Sequence, residues 1–148
     1  MIRELQPAET HLAYAAMLEL RPHLGSEPEF AAHVNDVQRP EGYRLAGAFD
    51  DGGDVVAVAG FRVTNHLAWG RTLYCDDLST RAEHRRQGHA ARLIDWMIDE
   101  ALRSGCDEFH LDSGVGPDRT AAHSLYFSKG LRISSFHFLR QLRGRATG

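Results

Sequence analysis

The chain has 148 residues, 43% hydrophobic and 25% charged, a composition of ordinary soluble domains and enough for one sizeable core. Its formal net charge of −3 argues against non-specific nucleic-acid binding, which needs a basic face, and is compatible with a cationic partner such as an amine. Two separated cysteines, Cys75 and Cys106, lie in apolar, strand-like stretches and read as reduced thiols, and no apolar run is long enough to span a bilayer.

Met1-Ile2-Arg3-Glu4 opens directly into folded-looking sequence, with no charged-then-apolar leader. The expectation is a single domain over residues 1–148, in the cytoplasm, with no membrane or nucleic-acid partner. Ile2 to Leu5 reads as a short strand. Pro7 suits the first turn of a helix running to about Leu20. A break with Pro22 and Gly25 precedes a short helix over Glu27–Val37. Tyr43–Phe49 and Asp54–Thr64 read as strands joined by Asp50-Asp51-Gly52-Gly53, whose residues tolerate positive φ. Thr72–Thr80 is a third long strand. The period then changes: Ala90, Leu93, Ile94, Met97, Ile98 and Ala101 share one helix face, and Gly105 is placed to cap that helix. Glu108–Leu111 reads as a strand, Asp118–Lys129 as a helix closed by Gly130, and Leu131–Leu142 as a last strand. A meander followed by crossovers implies an α/β fold with a mixed sheet and helices on its faces.

The informative segment runs from Leu78-Ser79-Thr80 to Arg85-Arg86-Gln87-Gly88-His89-Ala90, joining a strand to a helix. Gly88 removes a side chain where backbone must approach a ligand, and Ala90 is small for the same reason. Amides from Arg86 to Ala90 lie at a helix N-terminus, where unpaired N–H groups and the helix dipole favour an anion. Arg85 and Arg86 add positive charge. A phosphate or pyrophosphate is the natural occupant; a plain surface loop is the alternative. No GxxxxGK[ST] or post-strand GxGxxG is present.

This segment resembles the GNAT family of N-acetyltransferases. The family's Arg/Gln-x-x-Gly-x-Gly/Ala pattern is met by Arg85, Gly88 and Ala90. Its second landmark is met by Ala122, Tyr126, Gly130 and Leu131. The resemblance implies a GNAT fold: a mixed, mostly antiparallel six- to seven-stranded sheet, about four flanking helices, and a splay at the cofactor cleft between Thr72–Thr80 and Glu108–Asp112. It also implies acetyl-CoA as co-substrate. Backbone groups of Leu78, Ser79 and Thr80 would pair with its pantetheine arm. The amides of Arg86, Gln87, Gly88, His89 and Ala90 would hold its pyrophosphate, Ala122 would lie beside the cofactor, and Tyr126 would lie near the thioester sulfur. Arg119 stands where many members carry Asn, either as a contact to the cofactor phosphate or as a solvated helix residue. Little chain follows Leu131 for the usual final hairpin, so the last strand suggests a homodimer.

N-acetylation requires a deprotonated amine, a stabilised oxyanion and a protonated leaving thiolate. By resemblance Tyr126 is the candidate for the last role, and an N–H near Leu78–Thr80 for the oxyanion. Asp77, and after it Asp76, are candidates for binding the ammonium and relaying its proton. Adjacent carboxylates in a regular strand face opposite sides and need partners. The alternative pairs one with an Arg and leaves the other solvated. Asp112 could line the acceptor pocket or cap a loop. His123 shares a helix face with Tyr126 and could touch substrate or be structural. The nine histidines lack metal-ligand spacing, so no metal is expected. The reading is an acetyl-CoA-dependent transferase acting on a small primary amine by direct attack in a ternary complex. The alternatives are acetylation of a protein lysine or N-terminus, and a non-catalytic acyl-CoA sensor.

Overall fold

Asp50-Asp51-Gly52-Gly53 closes the hairpin expected of it: Gly53 N donates to Asp50 O at 3.1 Å, Asp50 N donates to Asp54 O at 2.9 Å, and Gly53 takes φ +87°. The computed structural model describes residues 1–144. Its strands are β1 (Ile2–Leu5), β2 (Arg44–Phe49), β3 (Val55–His66), β4 (Gly70–Thr80) and β5 (Glu108–Leu111). They form one sheet in the order β1-β2-β3-β4-β5. All neighbours are antiparallel except β4 and β5, which are parallel.

The helices are α1 (Tyr14–Leu20), α2 (Glu27–His33), α3 (His89–Arg103) and α4 (Thr120–Ser128). The helix expected over Pro7–Leu20 begins instead as a 3-10 segment, Pro7–Ala13. Buried Thr10 returns its hydroxyl to Pro7 O at 3.1 Å, a local bond that competes with an α-turn. Helix α2 starts on a capping box: Ser26 Oγ accepts from Glu29 N, and Glu29 accepts from Ser26 N.

Two clusters cover the two sheet faces. Leu93, Ile94 and Met97 of α3 are fully buried against Ala46, Ala57, Ala59, Phe61 and Leu73. Each such side chain contributes about 1.5–3 kcal/mol of transfer free energy. Ala16, Met17, Phe30 and Val34 pack on the opposite face against Leu45 and Val58. Central β3 is therefore buried on both faces from Val55 to Phe61, which accounts for its unbroken apolar run.

One expected element is absent among the described residues. Residues 131–142 form no strand, so the sheet has five strands rather than six or seven. A strand exists only by pairing. The last backbone bond on this segment is Leu131 N to Tyr126 O at 3.1 Å, and the rest makes no backbone bond to any described residue. No helix among the described residues is long and apolar enough to cross a membrane.

Candidate active site at the split between two strands

The sheet opens beside β4. Thr72–Cys75 pair with Glu108–Leu111, and the pairing stops there. Asp76 to Thr80 therefore pair with no strand on that side among the described residues, while their other edge stays bonded to β3. A bulge sits at the same level. Asp77 lies opposite Gly60 and Cys75 opposite Phe61, so Asp76 is the extra residue. An inserted residue bends its strand and re-aims side chains, as at many functional sites.

The split holds a cavity of about 270 Å³ lined by residues that include Asp76, Leu78, Asp112, Arg119 and Tyr126. The bulge changes the roles expected of the two aspartates. Regular alternation would send them to opposite faces, but both join one network. Asp77 accepts from Arg21 Nε at 2.9 Å and from Tyr43 Oη at 2.8 Å. Asp76 Oδ2 accepts from Arg62 Nε at 2.9 Å, and that guanidinium lies over the Tyr43 ring. Asp77, the first choice from sequence, has its carboxylate satisfied and does not line the cavity. Asp76 does line it, and its buried Oδ1 has no hydrogen-bond partner among the described residues. Burial pushes the Asp76 carboxyl above the usual aspartate range, against the opposing pull of Arg62. The Cys75 thiol beside it is pushed up to about 12 by burial and by the two aspartates, which keeps it a neutral wall.

Tyr126 reaches the cavity from α4 half-buried, and burial raises its phenol above the usual value despite neighbouring Arg119. Asp112 accepts from Tyr74 Oη and borders the cavity from the end of β5. Ala122 is half-buried one turn before Tyr126. His123 is a clamp: its Nε2 lies 2.8 Å from Gly114 O and 3.1 Å from Ser113 Oγ, pinning α4 to the loop after β5. It does not line the cavity, so the structure does not bring it to the substrate position considered from sequence.

The loop before α3 has the form of an anion cradle. Gly88 takes φ +79° as N-cap, and Arg86 takes φ +62°, a costly conformation for a non-glycine residue. Among the described residues the N–H groups of Arg86, Gln87, Gly88, His89 and Ala90 find no acceptor. Arg92 braces the loop by donating to Gln87 O at 3.1 Å and meeting His89 Nδ1 at 3.0 Å. Burial, together with Arg92, lowers the His89 pKa. Arg85 points elsewhere than expected: it pairs with Glu19 at 2.9 Å, and Glu19 also accepts from Ala82 N. Its charge ties the loop to α1 and is not free for an anion. Leu78 lines the cavity, Ser79 is anchored to Ala16 O by its hydroxyl, and Thr80 closes the register opposite Ala57.

Arg21, Tyr43, Arg62 and Glu19 escaped the sequence reading. Each meets its partner across long sequence separations, and no local pattern marks them.

An open, mixed sheet with a strand–loop–helix anion cradle is an α/β architecture, and solved structures share this fold. Glucosamine-6-phosphate N-acetyltransferase from Arabidopsis thaliana superposes with a TM-score of 0.76 at 15% identity, covering 97% of this chain and 98% of that one. Ribosomal-protein-alanine N-acetyltransferase from Brucella melitensis biovar Abortus 2308 gives 0.79 at 20% identity, over 95% and 99% of the two chains. The sequence pattern of the acetyltransferase (GNAT) family matches residues 9–130. The chain is also 31% identical over 127 residues to the uncharacterized N-acetyltransferase YhdJ of Bacillus subtilis, covering 85% of this chain and 87% of that protein. The chain belongs to the acetyltransferase (GNAT) family and is an acyltransferase.

Proposed function

We propose that this enzyme transfers an acetyl group from acetyl-CoA to a primary amine of a small molecule, both bound at once. The observation that carries this reading is Asp76, which lines the same cavity as Tyr126 and whose buried Oδ1 has no hydrogen-bond partner among the described residues. A buried carboxylate oxygen without a donor is costly, and an ammonium or an ordered water would satisfy it. The cavity's small volume favours a compact acceptor over a polypeptide segment.

The residues present fit acetyl-CoA. Five unpartnered amides in the left-handed turn before α3 suit a pyrophosphate, and the unpaired edge of Asp76–Thr80 suits an amide-bearing arm. Bound there, acetyl-CoA supplies an activated acetyl thioester. Asp76 binds the acceptor ammonium and takes its proton, directly or through one water. Arg62 holds Asp76 in place through Oδ2 and leaves Oδ1 free. Tyr126, kept protonated by burial, donates a proton to the departing thiolate. Asp112 borders the acceptor side. The N–H groups on the open edge near Leu78 are the donors for the oxyanion. Unpaired Cys75 and Cys106 suit a reducing compartment such as the cytoplasm.

Thiol release from acetyl-CoA over a panel of small amines and lysine- or N-terminal peptides tests the reading. Turnover is expected on a small amine, with Asp76→Asn lowering kcat/KM by about 10²–10⁴-fold. Activity requires the Asp76 carboxylate, so the wild-type acid limb should lie above the ordinary aspartate range and vanish in Asp76→Asn. Turnover confined to peptides would overturn the small-amine assignment. Acetyl-CoA binding without turnover on any acceptor would leave a sensor, and unchanged kcat/KM in Asp76→Asn would remove that residue's role.

A further inference from the structure

We infer that the acceptor amine carries its own oxyanion, a carboxylate or a phosphonate, and that Arg21 selects for it. The inference rests on the amine-transfer reading above and narrows its substrate class.

The cavity wall does not suit a bare ammonium. Its formally charged side chains are Arg21, Asp76, Asp112 and Arg119, two of each sign. Burial keeps Cys75 and Tyr126 protonated and neutral. Leu20, Leu78 and Leu111 supply apolar surface, which weakens screening and strengthens every charge nearby. A bare ammonium would bring an uncompensated positive charge into that space and would face two guanidiniums as well as Asp76. An acceptor with one charge of each sign leaves the balance intact and pairs with both kinds of wall.

Arg21 is held so that one edge of its guanidinium stays open. It is the C-cap of α1. Its Nε donates to Asp77 Oδ1 at 2.9 Å, and its Nη2 lies 2.8 Å from the same oxygen and donates to Asp76 O at 3.3 Å. Asp77 is in turn held by Tyr43. These bonds fix the guanidinium plane, while Nη1 has no partner among the described residues. The side chain is partly exposed and lines the cavity. Its bond to Asp76 O also fixes where it sits, beside the residue whose Oδ1 is unpartnered. A short carbon link between ammonium and oxyanion would let one molecule engage Asp76 and Arg21 together. A guanidinium fixed beforehand loses little freedom on binding a planar or tetrahedral oxyanion.

Arg119 extends the positive wall. It precedes α4, which packs on the opposite sheet face from α1. It pairs with no carboxylate among the described residues. A larger, doubly charged phosphonate would draw on it as well. The phosphates of acetyl-CoA account for neither arginine, because the amide cradle of residues 86–90 assigned to them is not part of the cavity lining.

Initial-rate kinetics on matched acceptors test this, with rates referred to the free amine. The panel holds amino acids, aminoalkylphosphonates, and for each a neutral twin whose oxyanion is an amide or a diester. In the wild type the anionic acceptor should exceed its twin in kcat/KM by about 10–100-fold, mainly through KM. In Arg21→Gln that ratio should fall to near one. Arg21→Lys keeps the charge without the fork and should retain part of it. Arg119→Gln should lower the ratio for phosphonates more than for amino acids. A preference confined to one oxyanion supports the inference and identifies the class. Neutral twins used as well as the anionic acceptors by the wild type overturn it and leave amine transfer standing. So does a wild-type ratio in Arg21→Gln, since a purely structural Arg21 would slow both twins alike. Where circular dichroism shows Arg21→Gln unfolded, the wild-type ratio and Arg21→Lys decide. Acetyl-CoA binding with turnover on no amine overturns the amine-transfer reading itself, and this inference with it.

Discussion

Gly60 on β3 is the position where a single methyl group should do most damage. A Cβ there would meet Tyr43 Oη at 1.8 Å, Cζ at 2.4 Å and Cε2 at 2.7 Å, all inside van der Waals contact. The ring has little room to retreat: Tyr43 is 5% exposed, and its hydroxyl is held by Asp77. Gly60→Ala therefore forces overpacking, about 1–3 kcal/mol, and loss of a hydrogen bond to a charged group, about 1.5–3 kcal/mol. Ala recovers about 0.5–1 kcal/mol over Gly in a strand, leaving a net loss of about 2–5 kcal/mol. That is a large share of the roughly 5–15 kcal/mol by which domains are stable. Urea denaturation followed by tryptophan fluorescence reads it as a lower midpoint at constant slope. The clash also predicts coupling. In Tyr43→Phe the ring is untethered and free to slide, so adding Gly60→Ala should cost at least 1 kcal/mol less than in the wild-type background. A Gly60→Ala protein within about 0.5 kcal/mol of wild type, or strict additivity with Tyr43→Phe, would refute this account of the bulge.

Gly88→Glu places a charged side chain at φ +79° beside the amide cradle, so CoA affinity measured by calorimetry should fall at least about tenfold, the conformational cost alone being about 1–2 kcal/mol. Unchanged affinity would take the loop out of the cofactor site. Tyr126→Phe keeps the ring and loses the proton, so kcat should fall by about 10²-fold or more while CoA binding stays the same. Equal loss of binding and turnover would make Tyr126 a packing residue instead.

Much of the fold is legible in the sequence because it rests on local periodicity. The spacing of Leu93, Ile94, Met97 and Ala101 marks the helix face that α3 buries. The Asp-Gly turn after Phe49 marks a hairpin, and the change of period after Thr80 brackets the cradle. The site was read less completely. The order of Asp77 and Asp76 reversed because a bulge is a property of two strands: the missing partner opposite Asp76 exists only once Gly60 and Phe61 set the register. Arg85 satisfied a motif and yet turned to Glu19, on a helix whose approach the motif does not encode. His123 and Tyr126 share a helix face, but a loop carbonyl met one of them and the cavity received the other.

The sequence by itself determined what depends on neighbours along the chain: the amphipathic helices, the turn chemistry, and the glycine whose positive φ frees a row of amides. Tertiary structure decided what depends on residues far apart meeting at a distance of about 3 Å. It decided which aspartate faces the cavity, which arginines are already paired, and where the sheet opens. It also decided that residues 131–142, apolar and strand-like in pattern, pair with no strand among the described residues. Side-chain alternation is written locally, whereas a strand needs a second backbone to bond.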